Sequence, residues 1–291
     1  MAISYSKYAV SMANFVDKTE LENEDFIKMN CDDQNYASFI LCDGAGGVGV
    51  FSKEWAQHLA NETLQMPDEF EKNSNEWFFK TSRSFHDTII LKKDLSDLML
   101  SKKVYRDGSY STFCACWLDL KGNKLFYSAI GDTYLFIFQN EGGNYKIKEV
   151  ASVIDQQEFD ENPKLLNWNI ELKLNLPFKS FDLKEEFVFL MVSDSLAKWI
   201  ILNLFLIDPI ALPEIGFNQD YINSLSQEKY MVRKELINMG GGKKSFKELL
   251  LFLKEISSDK TKFKTSMEEL YGNSEIEIDD YSLIYIEGNV S

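Results

Sequence analysis

Three acids, Asp43, Asp194 and Asp279, stand where apolar strands should end or begin, a placement that presents hard ligands to a cation. Phe39-Ile40-Leu41-Cys42-Asp43 is an apolar run that stops on a carboxylate and then turns through Gly44, Gly46 and Gly47 toward a helix. Phe187 to Ser193 repeats the arrangement ahead of Asp194, and Asp279-Asp280 opens the strand-like run Tyr281 to Ile286. Carboxylates brought together repel one another unless a cation neutralises them, and an all-oxygen set suits Mg²⁺ or Mn²⁺ rather than zinc. The only histidines, His58 and His86, fall in helical stretches away from these strand ends.

The elements that must position the acids show in the periodicity. Runs rich in aromatic and β-branched residues predict strands at Tyr5 to Phe15, Tyr36 to Cys42, Ser111 to Leu120, Leu125 to Ile130, Tyr134 to Gln139, Tyr145 to Ser152, Phe187 to Ser193 and Tyr281 to Glu287. Turn signals such as Lys121-Gly122-Asn123 and Glu141-Gly142-Gly143-Asn144 separate several of them by short gaps, which implies antiparallel hairpins. Helical spacing predicts helices over Val48 to Leu64, Glu76 to Leu100, Leu196 to Leu206 and Ser245 to Ser257, the last opening on a Ser245/Glu248 capping box. Strands with helix pairs predict an α+β sandwich, sheets inside and helices outside.

At 291 residues the chain can bury about three quarters of its unfolded surface. No Pro/Gly/Ser-rich linker interrupts the pattern, so a single domain over 1–291 is expected, with an insertion at 208–244 marked by Pro209, Pro213 and Gly240-Gly241-Gly242. A net charge of −15, from 31 basic and 46 acidic residues, argues against unassisted binding to nucleic acid or anionic membrane. No run approaches the roughly 18 uninterrupted apolar residues of a membrane helix, and Met1 to Val10 lacks a signal-peptide pattern. The expectation is a soluble, cytoplasmic protein. Cys31, Cys42, Cys114 and Cys116 are too scattered for a disulfide framework and read as small core residues.

Gly44-x-Gly46-x-x-Gly49 between a strand and a helix also fits a dinucleotide-binding turn. Against it, the Asp43 charge opposes a pyrophosphate, and the polar stretch Gln65 to Asn75 offers no second strand ending in an acid. Taken singly, Asp25 and Asp280 could be caps, Asp132 a hairpin-turn residue and Glu24 a solvated side chain.

Taken in order, these residues resemble the metal-dependent PP2C-type (PPM) serine/threonine phosphatases, in their bacterial form. Asn23-Glu24-Asp25 is similar to the family's first acidic motif and Asp43-Gly44-Ala45-Gly46-Gly47 to its Asp-Gly-x-Gly-Gly signature. Ser111-Thr112 matches its central-strand pair and Ile130-Gly131-Asp132-Thr133 its Gly-Asp-Ser motif. Ser193-Asp194-Ser195 matches Ser-Asp-Gly, and Asp279-Asp280-Tyr281-Ser282 matches Asp-Asn-x-Thr.

The resemblance implies a four-layer α-β-β-α sandwich of two mostly antiparallel sheets flanked by helix pairs, with two Mg²⁺ or Mn²⁺ ions at one end. By position Asp43 would bridge the ions. Glu24 and the Gly44 carbonyl would serve one ion, Asp194 and Asp279 the other, and Asp25 would hold a water of the site. Asp132 would join Asp194 at a third ion. The implied function is hydrolysis of a phosphorylated protein substrate by water activated between two metals, opposing a Ser/Thr kinase system. Asp25, Asp43, Asp194 and Asp279 would be the catalytic set.

Glu20 stands where the family carries the arginine that grips the substrate phosphate, with Lys18 or Arg106 as possible substitutes, and Ser195 and Tyr110 replace glycines. These departures motivate the alternative, a catalytically weak or inactive PP2C-like pseudophosphatase that binds a regulatory partner.

Overall fold

A computed structural model describes residues 3–47, 49–151, 165–169, 176–217, 220 and 242–290. Its strands are β1 (Ile3–Met12), β2 (Asp25–Asn30), β3 (Tyr36–Asp43), β4 (Tyr110–Ser111), β5 (Phe113–Asp119), β6 (Lys124–Ile130), β7 (Tyr134–Glu141), β8 (Asn144–Ala151), β9 (Leu166–Asn167), β10 (Lys179–Asp182), β11 (Glu186–Val192) and β12 (Tyr281–Val290). Its helices are α1 (Ser52–Glu62), α2 (Pro67–Thr88), α3 (Leu98–Asp107), α4 (Asp194–Ile207), α5 (Ala211–Glu214), α6 (Phe246–Ser257) and α7 (Lys260–Gly272).

Two five-stranded sheets carry the architecture, one in the order β1-β12-β11-β7-β8 and the other β10-β6-β5-β3-β2, with antiparallel pairing throughout. Strict alternation sorts each strand's side chains between two apolar layers. Phe39, Leu41, Cys114, Cys116, Leu135, Ile137, Phe189, Met191, Ile284 and Ile286 point inward and form the core between the sheets. The opposite face of the first sheet packs under α4, α6 and α7 through residues such as Phe136, Val188, Trp199, Leu253 and Phe263. That of the second packs under α1 and α2 through Ile40, Trp117, Trp55, Phe70 and Phe85. The result is the expected α-β-β-α sandwich. The four cysteines are free thiols, three of them buried.

The structure corrects several boundaries. The helix expected over Glu76 to Leu100 is two. α2 begins at Pro67, whose missing N–H suits a first helical position, and bends at Asn73 (φ −122°, ψ 16°). It ends at Thr88, with the Ile89 amide donating to the Phe85 carbonyl at 2.9 Å, and Asp94 accepts from the Ser96 amide at 3.0 Å in the connection that follows. Asp97 Oδ1 accepts from the Met99 and Leu100 amides at 2.7 and 3.1 Å and starts α3 afresh. Edge strand β2 and helix α7 lie where no regular element was expected. Ser245 accepts from the Glu248 amide at 3.1 Å as the N-cap of α6. The expected insertion at 208–244 falls largely outside the described residues.

Candidate metal centre

Register alone gathers the acids at one end of the sandwich. Asp25 and Asp43 are directly opposed in the β2–β3 ladder. Tyr134 pairs with Val192, Val192 with Leu283 and Met12 with Tyr281, so the start of β7, the end of β11, the start of β12 and the end of β1 are neighbours. Asp132 lies in the β6–β7 turn, Asp194 is the first residue of α4 and Asp279 precedes β12. Opposed like charges on adjacent strands destabilise a sheet.

The backbone around Asp43 is fixed from both sides. Its N–H donates to Thr112 Oγ1 at 2.9 Å, and its carbonyl accepts from the Thr112 amide at 2.8 Å and from Ser111 Oγ at 2.9 Å. Thr112 Oγ1 in turn lies 2.5 Å from Thr133 Oγ1, tying the turn that carries Asp132 to the strand that carries Asp43. Gly131 holds φ +87° in that turn, where a side chain would meet Thr112. Gly44 donates to the Glu24 carbonyl at 3.2 Å, and its own carbonyl accepts from the Gly46 amide at 3.0 Å. Gly46 is needed for a different reason. A Cβ there would stand 2.1 Å from Glu24 Oε1, so the Glu24 carboxylate lies on the space that glycine leaves empty.

Asp280 organises the other side. Its Oδ1 accepts from the Asn14 amide at 2.9 Å, and its Oδ2 accepts from the Glu24 amide at 2.8 Å and from Lys18 Nζ at 3.0 Å. Lys18 Nζ also donates to Glu24 Oε2 at 2.9 Å. Ser195, in the first turn of α4, donates to Asp279 Oδ2 at 3.2 Å. Neither Ser195 nor Tyr110 has positive φ, so glycine is not required at either position.

Electrostatics mark the cluster as short of positive charge. Burial, then the charges of Asp280 and Asp194, push Asp25 up to about 7. Both Asp25 oxygens are buried without a hydrogen-bond partner among the described residues. The Ser282 hydroxyl, which tempers that rise, commits its own proton to Ser11 Oγ at 2.8 Å. Burial and the charges of Asp25, Asp279, Asp194 and Asp132 hold Asp43 well above the carboxylate range. Burial and the neighbouring Asp194 raise Asp279 to about 9 and Asp132 to about 6. Asp194 alone moves the other way. Burial would raise it, but the charge of Lys198, with Nζ 2.7 Å from Oδ2, together with hydrogen bonds from Asp279, Lys198 and the Ser195 amide, outweighs that. Its Oδ1 is buried and has no partner among the described residues.

The donors are all oxygen, three of them are buried oxygens with no proton donor, and burial together with mutual repulsion raises the carboxyls of four of the five aspartates above the usual range. That chemistry fits a hard divalent cation. Among the described residues no three or more His, Cys, Asp or Glu side chains already stand close enough together to hold an ion. The acids are neighbours, not a closed cage, as repelling carboxylates with lysines drawn onto their outer oxygens should be. Sequence reasoning passed over Lys198 and the organising role of Asp280. Lys198, one helical turn after Asp194, carried a readable signal.

A scan against protein-family models finds no match, and a search of curated proteins finds none. Comparison with solved structures does. A bacterial serine phosphatase matches with TM-score 0.52 and 10% identity over 98% of both chains. The catalytic domain of the serine/threonine protein phosphatase PstP, solved with two manganese ions, matches with TM-score 0.51 and 10% identity over 99% of this chain and 100% of that one. PppA of Pseudomonas aeruginosa matches with TM-score 0.51 and 14% identity over 98% of this chain and 99% of that one. This chain has the fold of the bacterial PP2C-type phosphatases.

Proposed function

We propose that the protein is a Mg²⁺- or Mn²⁺-dependent phosphatase of phosphoserine and phosphothreonine in proteins. The observation that carries the reading is the set of buried, mutually repelling carboxylates at one end of a sandwich shared with such phosphatases. Glu24, Asp43, Gly44, Asp194 and Asp279 are the proposed ligands of two ions, with Asp43 between them. Two divalent cations held there would supply a water ionised near neutral pH and would offset charge on the phosphoryl oxygens.

The chain's own residues do the rest. Thr112 and Ser111 hold the Asp43 backbone so that its carboxylate stays at the strand end. Asp25, pushed up to about 7, is suited to hold and exchange a proton with the attacking water. Lys18 is the candidate phosphate grip. An ammonium has three donors, and Glu24 and Asp280 take two of them. Arg106, the other candidate, is exposed on α3 and paired with Asp107 at 2.6 Å, while Glu20 pairs with Lys260 at 2.5 Å. No described helix is long and apolar enough to cross a membrane. A cytoplasmic place in signalling, opposite a kinase, follows from the proposed substrate.

A second reading, a partner-binding pseudophosphatase, is favoured by Lys18 and Lys198, which already neutralise two of the proposed ligands. Phosphate release from a phosphopeptide separates the two. The phosphatase releases phosphate only with added Mn²⁺ or Mg²⁺ and loses activity in Asp279→Asn. Activity that survives both chelation and that substitution overturns the two-metal reading, whereas ion binding with no turnover on any phosphoprotein supports the pseudophosphatase.

A further inference from the structure

The side of the acid cluster formed by Asp194 and Asp132 has a cation of its own, as the Glu24 and Asp280 side has Lys18. Lys198 lies one helical turn beyond Asp194 on α4, and its Nζ stands 2.7 Å from Asp194 Oδ2 and 3.4 Å from Glu277 Oε2. The lysine and aspartate side chains are only 18% and 14% exposed. The helix fixes this arrangement, since residues four apart share a face. The Lys198 charge also acts, more weakly than burial and the Asp194 charge, on Asp132 in the β6–β7 turn. Asp25, buried within the same cluster, has no donor for either oxygen among the described residues.

We infer that the Lys198 ammonium is a permanent substitute for a divalent ion between Asp194 and Asp132, so that this chain takes no third metal there. The inference rests on the metal-dependent reading above and narrows it to two ions. An ammonium is monovalent and tethered. It satisfies Asp194 at every divalent concentration, and it repels a divalent ion brought to the oxygens it already holds. Asp132, on which the Lys198 charge also acts, is then not a metal ligand. Lys198 is thereby a positioning residue for Asp194, leaving Oδ1, the oxygen without a partner, to face the rest of the cluster.

Counting bound Mn²⁺ per chain by equilibrium dialysis at millimolar Mn²⁺ tests this, using the full chain, Lys198→Gln, Lys198→Arg, Asp132→Asn, and Lys198→Gln combined with Asp132→Asn. Thermal melts check that each variant is folded. Lys198→Gln is expected to bind one ion more than the parent, Lys198→Arg the same number, and the double variant to return to the parent count. An unchanged count in Lys198→Gln, or a parent ion that Asp132→Asn removes, overturns the inference. The parent's own count tests the broader reading separately. Zero ions on the parent sinks the two-metal proposal, while the difference between parent and variant still decides the role of Lys198.

Discussion

Gly46→Ala should disable the site while leaving the fold intact. The new Cβ would stand 2.1 Å from Glu24 Oε1, whereas an ordinary contact begins near 3.4 Å, so the carboxylate must retreat by the difference. Glu24 cannot simply swing aside, because its other oxygen is held by Lys18 at 2.9 Å. A displacement of about 1 Å in a catalytic group costs about 10²-fold in rate, or about 2.7 kcal/mol of transition-state stabilisation. The cost to folding is small. The displaced atoms end a side chain, Gly46 is exposed and lacks positive φ, and an alanine there trims unfolded-state entropy by about 0.4–1 kcal/mol. Gly47→Ala is the control, since its Cβ would meet nothing within 4 Å. Mn²⁺ titration calorimetry, phosphopeptide turnover and a thermal melt should therefore show weakened ion binding and about 10²-fold slower turnover for Gly46→Ala, near-parent values for Gly47→Ala, and similar melting for all three proteins. Equal Mn²⁺ affinity and turnover in the two variants would refute Glu24 as a ligand.

Lys18→Met should raise KM for a phosphopeptide by about 10- to 100-fold, the worth of one charge-assisted hydrogen bond, without lowering the number of Mn²⁺ bound. An unchanged KM would remove Lys18 as the phosphate grip. In chelator-treated protein, melting temperature should fall as pH rises from about 7 to 9. Asp25 at about 7 and Asp279 at about 9 bind more protons folded than unfolded over that range, so deprotonation costs the native state about 1 kcal/mol per pH unit for each proton. Added Mn²⁺ should flatten the slope, and a flat or rising profile without metal would show that the carboxylates do not repel as described.

The acids at the strand ends and the two sheets were legible because apolar runs with short turns leave few alternatives to antiparallel hairpins, and the point where each run stops or starts fixes which end each acid occupies. Asp25 illustrates the boundary of that legibility. Its placement opposite Asp43 depends on β2, an edge strand whose mixed residues Asp25–Asn30 take their order from pairing with β3 and not from an apolar pattern of their own. α2 was hidden in a polar stretch because Phe70 is the only large apolar residue in its first turns, and its burial against Phe113 and Trp117 of β5 is tertiary. α7 did carry a stripe, Phe263, Met267 and Leu270, buried against the first sheet. The lysines were least legible in function. Lys18 reaches its carboxylates across separations of 6 and 262 residues, a pairing that only the finished fold creates.

The most direct test is a crystal of the protein soaked in Mn²⁺ and measured at the manganese absorption edge. Two anomalous peaks are expected, with Asp43 between them, one near Glu24 and the Gly44 carbonyl, the other near Asp194 and Asp279. No manganese in the acid cluster, with Lys18 and Lys198 remaining its only cations, would contradict the two-metal centre.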